Sequence, residues 1–155
     1  MVLVLKQRLL ESCAGKQIPN ILRTPQDPSL LNNRIKVLLA DHPGVTIRSR
    51  DTTYNCLGLA FANRRTSIEP SDLRQLLADD DYRPTTRADA MSGDLVLYSA
   101  FGELSHVAIV THRPTADPSI IWVMSAWGSD GEYTHVVDNV PTILGNATEF
   151  WTDRK

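Results

Sequence analysis

Cysteine is scarce: Cys13 and Cys56 are the only two in 155 residues. Two cysteines cannot build the disulfide framework on which small exported scaffolds rely, and these two form no C-x-x-C pair. Histidine is nearly as sparse, and His42, His106, His112 and His135 show no ligand spacing such as H-x-x-x-H, so no metal site is expected. Gly58 stands alone in its segment, which leaves no glycine-rich phosphate loop or dinucleotide fingerprint and no expected cofactor. Charge bias is missing too. Sixteen basic against 18 acidic residues give a net charge of -2, which argues against nucleic acid or an anionic membrane as the partner. The opening Met1-Val2-Leu3-Val4-Leu5 is interrupted by Lys6 and Arg8. It is too short for a membrane span and has no basic region before it, as a signal peptide would. The expected location is the cytoplasm, or outside the cell by a route without a classical signal peptide.

What is present fits one soluble domain over residues 1–155, with 42% hydrophobic and 22% charged residues. A helical half is expected over about 1–84 and a sheet half over about 85–155. Leu5, Leu9 and Leu10 predict a first helix over residues 1–14, ended by Gly15. Ser29 is read as the N-cap of a second helix that stops near Asp41-His42-Pro43-Gly44, followed by a short extended piece at Val45–Arg48. A third helix carries Cys56, capped by Asn55 or Thr53, and Pro70-Ser71-Asp72 opens a fourth. After Pro84 the predicted strands are Asp94–Tyr98, His106–Thr111, Ile120–Met124 and Tyr133–Val137, joined by short polar turns. The layout is α+β with an antiparallel meander.

The chemistry centres on Cys56, at the start of the apolar segment Cys56-Leu57-Gly58-Leu59-Ala60-Phe61. Amides at a helix start favour a thiolate, and a nearby imidazolium favours it further. His106 heads a predicted strand in which it shares one face with Ala108 and Val110, so it can supply that imidazole as general base and acid. The Cys56 amide is the natural first donor of an oxyanion hole. The bland alternative is a cysteine that is merely a small buried hydrophobe.

Tyr54-Asn55-Cys56-Leu57-Gly58-Leu59, Gly93-Asp94-Leu95-Val96-Leu97-Tyr98 and Ser105-His106-Val107-Ala108-Ile109-Val110 resemble the core motifs of papain-fold cysteine hydrolases of the NlpC and CHAP kinds, over roughly residues 50–125. The resemblance implies a papain-like (NlpC-type) fold, with Cys56 as nucleophile and His106 as base. The third, orienting residue of those families is expected on the next strand, where Ser125 is the residue offered; His135, Asp138 and Asn139 are the alternatives from the strand after it. Ser125-Ala126-Trp127-Gly128, Glu132-Tyr133-Thr134-His135 and Phe150-Trp151 also resemble cysteine-histidine domains found in bacterial toxin and effector contexts.

Two function classes follow. One is a thiol hydrolase or transferase acting on an amide bond in a peptide, a peptidoglycan peptide or a protein side chain. The other keeps the fold without the chemistry and binds a protein partner. Of the remaining features, Trp122 and Phe150 are expected to complete the core, with Trp127 open as a cleft wall, and His112 to be a solvated turn residue. Arg64-Arg65 and Asp79-Asp80-Asp81 are read as solvated charged faces.

Overall fold

The computed structural model describes residues 7–155. The first half holds β1 (Asn20–Ile21), α1 (Pro28–Asp41), β2 (Thr46–Ser49), α2 (Cys56–Ala62), β3 (Ser67–Ile68) and α3 (Leu73–Asp79), the last entered through a 3-10 turn at Pro70–Asp72. The second half holds β4 (Arg83–Thr85), β5 (Leu95–Ala100), β6 (Glu103–His112), β7 (Trp122–Ala126), β8 (Glu132–Val136) and β9 (Asn146–Thr152). Seven strands form one antiparallel sheet in the order β2-β8-β7-β6-β5-β9-β4, and β1 and β3 pair separately. The mixed helix and sheet layout is the one the sequence predicts. No helix among the described residues is long and apolar enough to cross a membrane.

The sheet is buried on both faces. Leu95, Leu97, Val107 and Ala126 meet α2 and α3 in one cluster, through Cys56, Leu57, Leu59, Leu73, Leu76 and Leu77. Val96, Tyr98, Ala108, Val110, Val123 and Phe150 form a second cluster from the alternate positions of the same strands. Leu31 and Ile35 of α1 close a third against Val45, Trp127 and Tyr133. Gly58 sets the approach of α2 to the loop behind it: a Cβ there would lie 1.8 Å from the Thr66 carbonyl oxygen.

Several expectations need correction. Residues 1–6 of the predicted first helix lie outside the described residues, and residues 7–14 contain no helix. Glu11 instead bridges to Gln17, Ile18 N–H bonds Leu10 O at 2.8 Å, and Ser12 and Cys13 are tied to Asp79 and Asp80 at the end of α3. Long-range bonds and the burial of Leu10 and Ile18 override a modest helical pattern. The N-cap of α1 lies two residues earlier than expected, because Asp27, not Ser29, accepts the Ser29 and Leu30 amides, with Pro28 at the first helical position. Asp79 is not a solvated charge, since its carboxylate is nearly buried and bonds Ser12, Lys16 and Gln75. Arg64 is likewise drawn inward, as described below. His112 ends β6, exposed and stacked on Trp122 with ring centroids 5.9 Å apart.

Candidate active site

Asn55 fixes the start of α2. Its Oδ1 accepts the Gly58 amide at 2.9 Å and the Ile68 amide at 3.1 Å, while Nδ2 donates to Ile68 O at 2.7 Å. One side chain thus caps the helix and ties it to β3, which places Cys56 as the first residue of α2. Only 7% of Cys56 is exposed. Burial pushes its thiol up, against the amides of Val107, Leu57 and Cys56 itself and the charge of Arg23. The thiol therefore rests protonated, whereas the helix-start argument favoured a thiolate; desolvation outweighs the amides.

His106 faces Tyr98 across the β5–β6 pair, with ring centroids 5.1 Å apart. It is 2% exposed, and burial, with His135 adding to it, pushes its pKa down to about 3. Its Nε2 is buried without a hydrogen-bond partner. Val107, the next residue, projects from the opposite face into the cluster that holds Cys56. Cys56 and Val107 thus share one face of β6 while His106 lies on the other, and thiol and imidazole share no hydrogen bond.

Ser125 and His135 come together with each other. The His135 Nδ1 lies 2.8 Å from Val136 O, and a carbonyl only accepts, so Nδ1 carries the proton. The Ser125 hydroxyl then donates to His135 Nε2 at 2.7 Å and accepts the Trp127 indole N–H at 3.0 Å. Burial holds the His135 pKa down at about 4. Neither residue bonds the His106 Nε2. Asp138 and Asn139 serve elsewhere, Asp138 in an ion pair with Arg87 and Asn139 on His42 and Pro43 O. Trp127 is buried, and its edge lines a groove of about 340 Å³ with Arg34, Leu38, Ile143 and Leu144. Ser105, beside His106, bonds the Leu144 carbonyl at 2.6 Å and so connects that groove to β6.

Sequence reasoning missed Glu132. It is buried at the head of β8 and receives Tyr54, Arg48 and Arg64, all more than 60 residues away in the chain. No local pattern announces such a partner. No protein-family model matches the chain, and no curated protein matches it.

Proposed function

We propose that the protein is a thiol hydrolase or transferase acting on an amide bond, with Cys56 as nucleophile and His106 as general base, on a papain-like (NlpC-type) scaffold. The observation that carries this reading is that α2, headed by Cys56, packs on β6 at Val107, the chain neighbour of His106, although the two side chains leave the strand on opposite faces. Buried polar atoms are almost always hydrogen-bonded, and an exception such as the His106 Nε2 calls for a partner: a water, an ion or a substrate. The order of a cysteine-headed helix followed by antiparallel strands bearing the histidine supports the papain-like scaffold.

The resting pair is a neutral thiol beside a neutral imidazole, so the proton moves as the bond forms. Sγ attacks the amide carbonyl carbon while the thiol proton passes to His106 through a bridging water rather than directly. The same proton then goes to the departing nitrogen as the C–N bond breaks, leaving a thioester on Cys56. Water, deprotonated by His106, hydrolyses the thioester, or an amine takes its place in transfer. Amides aimed at the sulfur are also near the developing oxyanion. The substrate class is a peptide, a peptidoglycan peptide or a protein side-chain amide.

The test is the iodoacetamide alkylation rate of Cys56 between pH 6 and 9, read by peptide mass mapping, in the parent protein and in His106→Asn. The parent is expected to react at least about tenfold faster at pH 7. Equal rates, or no alkylation short of unfolding, would refute the reading. A second reading, a domain without chemistry that binds a protein partner, is favoured by the burial of both groups and predicts that outcome.

A further inference from the structure

We propose that Glu132 is a positioning residue for the Cys56–His106 site, holding α2 in place against β6. This rests on the hydrolase reading of that pair. Glu132 Oε1 accepts the Tyr54 hydroxyl at 2.7 Å and the Arg64 Nε–H at 2.7 Å. Its Oε2 accepts Arg48 Nε–H at 2.9 Å and Arg64 NH2 at 3.0 Å. Tyr54 lies two residues before Cys56, and Arg64 two residues beyond Ala62, the last residue of α2. One carboxylate therefore grips the chain on both sides of the seven-residue nucleophile helix.

The grip is rigid at both ends. Tyr54 is buried in the same cluster as Cys56 and Val107. Arg64 follows the left-handed Asn63, is itself left-handed at φ 65°, and returns its amide to Gly58 O at 3.0 Å, so its backbone closes the helix while its side chain reaches Glu132. On the other side, Glu132 is paired with Ala126 of β7 and with Ser49 of β2. Ala126 belongs to the cluster that contains Cys56 and Val107. The carboxylate thus fixes α2 against the strand next to β6.

Stability alone is a weak reason for this arrangement. A buried ion cluster is often no more stabilising than apolar residues of the same volume, because desolvation offsets the attraction. Its distinctive property is directional: four donors from three segments accept only one placement of α2. Placement matters steeply at a nucleophile, where a misplacement of about 1 Å lowers the rate about 100-fold.

The experiment compares two alkylation rates of Cys56 at pH 7, one with His106 and one with His106→Asn, in the parent, Glu132→Gln and Tyr54→Phe backgrounds. Peptide mapping separates the signal from the exposed Cys13. The ratio is expected to be at least about 10 in the parent, to fall to about 1–2 in Glu132→Gln and to lie between in Tyr54→Phe. A loss of stability changes both rates together and leaves their ratio alone. An unchanged ratio in Tyr54→Phe, or in folded Glu132→Gln, overturns the proposal. If Glu132→Gln does not fold, Tyr54→Phe, which removes one donor, decides. A ratio near 1 in the parent overturns the hydrolase reading itself, so the two failures are told apart.

Discussion

Acid should destabilise this protein well before its carboxylates titrate, and the cause is two histidines. His106 and His135 are buried and neutral, with pKa values lowered from 6.5 to about 3 and about 4 by burial. Both shifts are downward, so below pH 6.5 the unfolded chain binds protons that the folded chain refuses. Stability is then undiminished above about 6.5 and falls with pH below it. Each histidine contributes a slope of about 1.4 kcal/mol per pH unit, or about 2.7 together. At pH 5 the pair has removed about 4 kcal/mol, a large share of the roughly 5–15 kcal/mol typical of a domain. Asp94 and Glu132 do not blur the window: burial would raise both, but their hydrogen bonds to Arg154 and Arg64 hold them below the ordinary carboxylate range. Their contribution is lost only as pH falls through those lower values. Urea unfolding at half-unit steps from pH 7 to pH 5 measures the slope. His106→Gln and His135→Gln should each halve it, whatever they cost at pH 7. A parent slope below about 1 kcal/mol per pH unit would show that the imidazoles are hydrated or already protonated, and would refute the argument.

Two further substitutions test the packing around the site. Gly58→Ala drives a methyl into the Thr66 carbonyl and should cost about 3 kcal/mol, seen as a lower Tm; a change of under about 0.5 kcal/mol would mean that α2 shifts freely. Asp94→Asn removes the charge that holds Arg154 at 2.8 Å and weakens the acceptor of the Met91 amide, for a loss of about 2 kcal/mol and faster proteolysis after β9; unchanged proteolysis would show that the ion pair does not anchor the C-terminal strand.

Strands β5 to β8 were legible because polar, glycine-bearing turns separate them, and the hairpin from β5 to β6 needs little else. β4 and β9 were not read as strands, although Phe150 of β9 was expected in the core. The partners of β9, which are β5 and β4, lie far back in the chain, and nothing local in Asn146–Thr152 announces them. For the site, the alternation of β6 grouped His106 with Ala108 and Val110, and the His106 ring lies against Tyr98, which packs with both. It could not say which face α2 covers. Val107 and Ile109 are as apolar as Ala108 and Val110, so a strand buried on both sides carries no sign of which neighbour lies where. Arg64 failed for a related reason: beside Arg65 it reads as a surface pair, and its partner is 68 residues away.

The two buried imidazoles differ in one respect, and that difference bears on function. His135 is fully provided for, with a carbonyl on Nδ1 and a hydroxyl on Nε2 that is itself bonded to an indole. The surrounding sequence supplies hydroxyls readily, as Ser105 and Ser125 show on neighbouring strands. His106 is equally enclosed, yet no protein group bonds its Nε2, which costs about 1–3 kcal/mol wherever no other partner bonds it. An apolar residue at 106 would pack against Tyr98 without that cost. On the proposed hydrolase reading, that imidazole nitrogen is the atom that exchanges a proton with the Cys56 site.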